Sequence, residues 1–279
     1  MPPSPSQPQQ PTGTLLETDD AIRQALQGIK PGAPPAASKQ PSPPSSVARP
    51  FCPVLRPPVA ILTVFDDGKT DGEVIRIRSD RFVIGRTEGD LLIPHDGLMS
   101  SRHAEITRQR VGEQWRWVVT DLQTKNGLFV RASRVALSSG AEFLVGHGRY
   151  RFEVAAPTAA SAAPASEGTR SWGSDATALL GGASLVEVIP GDPAGRKVVL
   201  SAKEYWIGSD PACAIRREGD LYVEPRHVRL FRDDKNNWDA QHNKTLNGLW
   251  LRVPHITVED GCLFQIGEQR FRLNVGGMS

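Results

Sequence analysis

The sequence predicts an all-β protein: two β-sandwiches in tandem, joined by a flexible linker and preceded by a disordered, proline-rich tail. Three observations carry that prediction. Short runs of alternating apolar and polar residues recur along most of the chain, the period expected of half-buried strands. The chain's 26 Gly and 23 Pro argue for many short elements joined by turns rather than for long helices. Landmark residues also recur at a near-constant interval: Gly85 and Gly208 stand 123 apart and His103 and His227 stand 124 apart, while Trp117/Trp238, Asn126/Asn247, Gly146/Gly267 and Tyr150/Phe271 each stand 121 apart. Such an offset marks a tandem repeat of one fold, and 279 residues give room for two ordinary domains.

Fifteen of the 23 prolines fall in residues 1–58, with few β-branched or aromatic residues to bury. Residues 1–50 therefore read as a disordered tail that cannot offset its ordering entropy. Inside it, TLLETDDAIRQALQGIKPG (14–32) is a helical island, with a short helix expected over 18–30. Thr18 can cap it, Asp19 and Asp20 suit its first turn, and Ile22, Leu26 and Ile29 recur at helical spacing. A helix this short is marginal without a partner.

Strand texture begins at 56 with AILTVF (60–65), EVIRIR (73–78), RFVIG (81–85), WRWVVTDL (115–122), GLFVR (127–131) and RYRFEV (149–154). Residues 56–155 are expected to close one sandwich. The stretch 156–182 reverts to Ala, Ser, Pro and Gly and reads as an interdomain linker. Residues 183–276 repeat the texture and are expected to form the second sandwich. Trp115, Trp117, Trp206, Trp238 and Trp250 fall within strand patterns and are assigned to core or half-core positions, and Arg108 and Arg110 to a solvated strand edge.

With 33 Lys+Arg against 31 Asp+Glu, no overall charge points to nucleic acid or an anionic membrane, so an electrostatic site must be local. Cys52, Cys213 and Cys262 lie far apart and form neither a disulfide framework nor a zinc pattern, which fits a reducing cytoplasm. No signal peptide begins the chain and no apolar run reaches the ~20 residues of a membrane span, so no direct membrane insertion is expected. No nucleotide loop, nucleophile elbow or metal-binding His pair is found, so neither cofactor nor metal is expected and an enzyme is the least favoured class.

The informative residues sit at turns: Gly85-Arg86 after RFVI, Ser100-Ser101-Arg102-His103 in LMSSRHAEI, and Lys125-Asn126-Gly127 in DLQTKNG. Loops at one end of a sandwich converge although distant in sequence. Two guanidinium forks, two hydroxyls and an ammonium form a donor set suited to a dianionic phosphate.

In order and spacing, these three motifs resemble the forkhead-associated (FHA) domain. The resemblance implies FHA-type sandwiches that bind phosphothreonine peptides on the loops at one end and have no enzymatic activity. It implies that Arg86 and Ser100 hold the phosphate, that Ser101 or Arg102 assists, and that Asn126 hydrogen-bonds the peptide backbone. Gly85 and Gly127 shape their turns, and His103 braces the loops. Lys125 stands where the family often has Thr or Ser; it either adds phosphate attraction or faces water. Leu98 hints at an apolar preference three residues after the phosphothreonine.

The second repeat replaces these groups. Gly208 is followed by Ser209, the serine position is Glu224 in Glu224-Pro225-Arg226-His227, and Asn247-Gly248 remains. A carboxylate where phosphate would sit repels it, so the second half resembles the degenerate FHA-like domains that serve as structural or docking modules, including those of secretion-system membrane proteins. The expected function is a cytoplasmic phosphothreonine-binding adaptor in Ser/Thr kinase signalling, whose partners are a phosphorylated protein, a kinase or its substrates. The alternative is a phospho-independent component of a larger assembly. Thr14 and Thr18, beside acidic residues in the tail, are candidate phosphorylation sites for capture by the chain's own first site.

Overall fold

A computed structural model describes residues 15–16, 56–154, 182–189, 192–235, 237–258 and 261–275. Among these every regular element is a strand. In chain order they are β1 (Leu15–Leu16), β2 (Ala60–Phe65), β3 (Gly72–Ile77), β4 (Arg81–Gly85), β5 (Leu91–Leu92), β6 (Ala104–Val111), β7 (Gln114–Asp121), β8 (Leu128–Leu137), β9 (Glu142–Val145) and β10 (Gly148–Val154). The second half contributes β11 (Ala183–Ile189), β12 (Asp192–Leu200), β13 (Glu204–Gly208), β14 (Ile215–Arg216), β15 (Val228–Arg232), β16 (Trp238–His242), β17 (Leu249–Val253), β18 (His255–Val258), β19 (Gly261–Ile266) and β20 (Gln269–Val275). The repeat is visible in this series: β4 and β13 each end on the repeat's glycine and each pair in parallel with a two-residue strand.

Strand pairing crosses the boundary expected between the halves. β2, the first strand after the tail, pairs with β20 near the end of the chain, Leu62 opposite Leu273. β18 adds to β7, Ile256 opposite Val119. In return, the second half of β8 adds to β16, Val135 opposite Ala240, and β10 pairs with β11, Phe152 opposite Leu185. One sandwich is thus built from 60–131 together with 255–275, and the other from 132–253. Each half donates its last three strands to the other's sandwich.

The expected pair of sandwiches in series, 56–155 and 183–276, is corrected accordingly. The 156–182 stretch expected as a linker lies, apart from Gly182, outside the described residues; the strands on either side of it, β10 and β11, are neighbours in one sheet.

The reason lies in β8. LFVRASRVAL contains no Gly, Pro, Asn or Asp at which to fold back. Its ten residues extend about 33 Å, well past the ~10 Å between two packed sheets. Returning to the facing sheet of its own sandwich would need a loop that the sequence lacks, and short hinges of this kind favour exchange of elements. In the second half only Pro254 separates β17 from β18. β8 and β17 instead run antiparallel against each other, Val130 opposite Leu251. Those two are repeat counterparts, so a pseudo-two-fold axis passes between them. The result is a continuous sheet in the order β3-β2-β20-β19-β8-β17-β9-β10-β11-β12, with β18-β7-β6-β4-β5 facing one end and β8-β16-β15-β13-β14 facing the other.

A single buried cluster runs through both sandwiches, including Leu62, Trp117, Phe143, Phe152, Phe264 and Phe271. Repeat-related aromatic pairs stack in each, Phe143 on Tyr150 at 5.6 Å and Phe264 on Phe271 at 5.0 Å. Two matched clasps lock the exchange. Asp96 accepts the Glu268 N–H at 2.7 Å and Asp220 accepts the His147 N–H at 3.0 Å, each carboxylate holding a hairpin turn that belongs to the other half.

Of the stretch 1–50 expected as a disordered tail, only Leu15–Leu16 are among the described residues. They add to β8, Leu16 opposite Ala132, on the edge that β19 leaves after Val130 while the other edge still pairs with β17. The helix expected over 18–30, Thr14 and Thr18 lie outside the described residues. No helix among the described residues is long and apolar enough to cross a membrane.

Candidate functional site

The three motifs of the first half meet through their backbones. After β4, the Arg86 N–H donates to Ser100 O at 2.8 Å, and the Thr87 and Glu88 N–H groups donate to Ser101 O at 3.3 and 2.9 Å. Gly85 permits this approach, because a Cβ there would collide with the Ser101 and Glu88 carbonyls. Gly127 takes φ +82°, the left-handed region open to glycine, and closes the third loop.

His103 joins the loops from beneath. It is fully buried and accepts the Ser100 N–H on Nδ1 at 3.1 Å. Nε2 therefore carries the proton, which it directs to Gly127 O at 3.1 Å and Thr124 Oγ1 at 2.9 Å. The Thr124 hydroxyl donates to Asp121 at 2.6 Å and accepts the Gly127 N–H at 3.0 Å. Burial holds the His103 imidazole below its usual pKa, which suits a ring whose two nitrogens must remain one acceptor and one donor. Asn126 donates to Leu98 O at 2.6 Å, tying the third loop to the second.

Above this frame lie the charged groups. Arg86, Ser100 and Asn126 are half-buried, while Ser101, Arg102 and Lys125 are exposed. Among the described residues none of the three cations pairs with a carboxylate, and the Lys125 N–H has no acceptor. The loop end therefore presents unneutralised positive charge beside a free hydroxyl and a free amide, an arrangement that can receive an anion.

The second half repeats most of the frame, with His242 in the position of Asp121 and Pro211, which has no N–H to donate, in the position of Glu88. His227, also fully buried and held below its usual pKa by burial, accepts the Glu224 N–H at 3.0 Å and meets Gly248 O at 2.9 Å and Thr245 Oγ1 at 3.0 Å. The Ser209 N–H donates to Glu224 O at 3.1 Å, a Cβ on Gly208 would strike Pro225 O, and Asn247 donates to Tyr222 O at 3.1 Å.

The charged layer differs. Glu224, at the Ser100 position, accepts the Leu246 N–H at 2.8 Å. Leu246 is the counterpart of Lys125, so the chain's own carboxylate occupies the amide that is open in the first half. Arg226 lies over Trp206, 5.7 Å from the ring centroid. Leu221 (93% exposed), Leu246 (64%) and Tyr222 (48%) make this end apolar.

Arg108 departs from the expected solvated edge. Its side chain is 7% exposed, spread over Trp115 and Trp117 and paired with Asp80, because a guanidinium can cover an indole face with its flat surface.

Sequence reasoning missed the supports beneath the loops: Thr124 and Thr245, Asp96 and Asp220, and Arg131 and Arg252. Each pair obeys the repeat offset, at 121, 124 and 121 positions, and that regularity was the available signal.

Residues 82–146 match the family model described as FHA domain. Among solved structures, full-length yeast Pml1p is 20% identical, with 30% of this chain and 69% of that chain covered at a TM-score of 0.24. The FHA domain of the Chlamydia trachomatis protein CT664 is 24% identical, covering 26% and 69% at a TM-score of 0.21. A chain from a structural and functional analysis of phosphothreonine-dependent FHA domain interactions is 26% identical, covering 33% and 91% at a TM-score of 0.21. No curated protein matches the chain closely enough to count as a relative.

Proposed function

Taking residues 82–146 as an FHA domain, we propose that the protein is a phosphopeptide-binding adaptor that reads phosphothreonine on the loop end built from Arg86, Ser100 and Asn126. The observation that carries this reading is the exchange between the two loop ends. In the second half a carboxylate accepts the third-loop amide. In the first half that amide is open, a serine stands in place of the carboxylate, and Arg86, Arg102 and Lys125 have no acidic partner among the described residues. A phosphate carrying a charge of about −1.5 to −2 supplies the missing anion.

In this reading Arg86 contributes the paired donors, the Ser100 hydroxyl and the Lys125 N–H complete the phosphate shell, and Asn126, already fixed on Leu98, faces the peptide backbone. Ser101, Arg102 and the Lys125 ammonium add attraction from the rim. Recognition is reversible binding and needs no catalytic group. The phosphorylated partner is a substrate of a Ser/Thr kinase, met in the cytoplasm, and the second loop end, with its anion position filled from within and an apolar rim, docks a partner without phosphate.

The test is capture of a degenerate phosphothreonine peptide library by the full chain, beside phosphoserine and unphosphorylated libraries and the Arg86→Ala variant. Selective phosphothreonine capture that falls about ten- to hundredfold in the variant is expected from the loss of charge-assisted hydrogen bonds. Equal capture of phosphorylated and plain peptides would favour the scaffold reading.

A further inference from the structure

The reciprocal exchange of strands places an arginine from each half under the loop end of the other. Arg252, on β17, donates through Nη2 to Thr124 O at 3.1 Å and reaches Lys125 O at 3.5 Å. Its guanidinium lies flat against Gly127, so close that a Cβ on that glycine would collide with it. The other Nη is anchored at 3.0 Å on Glu142, whose carboxylate also accepts Arg149. Burial works against ionisation of Glu142, and the hydrogen bonds from Arg149 and Arg252 outweigh it, so its pKa lies below the usual value. On the opposite side of the pseudo-dyad, Arg131 donates to Thr245 O at 3.2 Å and covers Gly248.

We infer that Arg252, from the second half, is a positioning residue for the phosphopeptide site of the first half, so that the site is a composite of both. The inference rests on the phosphothreonine reading above. The loop that Arg252 holds carries two of that site's elements, the open Lys125 N–H and the Asn126 amide. Two of its carbonyls, Thr124 O and Lys125 O, have Arg252 as a donor. Fixing these carbonyls turns the amides of the same peptide planes toward the anion position, since each peptide unit moves as a rigid plane. The arginine's charge also adds to a region that must receive a dianion. The second half, whose own anion position is filled by Glu224, thereby has a defined duty toward the first. A binding site assembled from one half alone would lack this brace.

The test uses the full chain in four forms: unmodified, Arg252→Ala, Arg252→Lys and Arg131→Ala. Two quantities are read for each: capture of the degenerate phosphothreonine library relative to its unphosphorylated twin, and hydrogen exchange of the Lys125, Asn126 and Gly127 amides. Melting temperature is recorded alongside. Arg252→Ala is expected to weaken capture about tenfold and to speed exchange in 125–127. Arg252→Lys keeps the charge but not the flat fork and should fall between the two. Arg131→Ala lowers the melting temperature by a similar amount, speeds exchange in 246–248, and leaves capture unchanged. If Arg252→Ala does not give a folded chain, the lysine variant carries the same comparison. Unaltered capture and exchange in both Arg252 variants overturns the inference, as does an equal loss of capture in Arg131→Ala. Absence of phosphothreonine selectivity in the unmodified chain, with exchange in 125–127 still governed by Arg252, refutes the ligand reading while supporting the brace.

Discussion

The two loop ends share a frame and differ in charge. His103 and His227 each take a loop N–H on Nδ1 and offer Nε2–H to a glycine carbonyl and a threonine hydroxyl. Asn126 and Asn247 each tie the third loop to the second. The frame thus needs no ligand, because it satisfies buried polar groups that would each cost about 1–3 kcal/mol if left open. The two ends differ in the layer above, where Arg86, Ser100 and Lys125 correspond to Ser209, Glu224 and Leu246. A histidine or an Asn-Gly pair in such a loop is therefore a mark of the fold, while in the proposed reading the residues at 86, 100 and 125 are marks of the ligand.

The largest effect is expected from making the first end resemble the second. Ser100→Glu places a carboxylate beside the Lys125 N–H, where it can mimic the Glu224 contact. Phosphothreonine capture should then fall by a hundredfold or more, about 3 kcal/mol, with the melting temperature unchanged or raised. A binding titration beside thermal melting checks this, and retained affinity would show that the anion sits elsewhere.

Next comes the frame itself. His103→Ala and His227→Ala each remove a buried acceptor and donor and should each destabilise the chain by about 2–4 kcal/mol in chemical denaturation. Because one buried cluster runs through both sandwiches, each variant should lower a single shared transition. Two separated transitions would show that the exchanged halves unfold independently.

The smallest effect is a pH dependence common to both ends. Both histidines are held below the usual value by burial, so the unfolded chain takes up these protons first. Their contribution is fully present above about pH 6.5 and is lost as pH falls through that value toward the lowered folded values. Melting temperature should decline between pH 7 and pH 5, and the slope should flatten in His103→Ala. A profile flat to pH 5 would mean that the imidazoles accept protons without strain.

Much of this was legible in the sequence, because alternation marks strands and turn residues mark loops regardless of which strands pair. That the second end carries a carboxylate and no arginine at these two positions could be read from Glu224 and Ser209 alone. The exchange could not be read from alternation, since Tyr150 and Phe152 bury one face equally well against either half. Its one local sign was the absence of a turn residue between Leu128 and Leu137. Arg131 and Arg252 read as ordinary strand arginines because their partners, Thr245 and Thr124, lie 114 and 128 positions away. The role of Glu224 as an internal acceptor depends on a single backbone N–H, which no pattern of side chains reveals.

The most direct test of the difference between the ends is a titration of the isotope-labelled full chain with a phosphothreonine peptide, followed through backbone amide shifts. The account predicts that the Lys125 N–H moves strongly, together with Arg86 and Asn126, while Leu246, Ser209 and Asn247 stay in place. Shifts centred on Leu246, or equal at both ends, would contradict it.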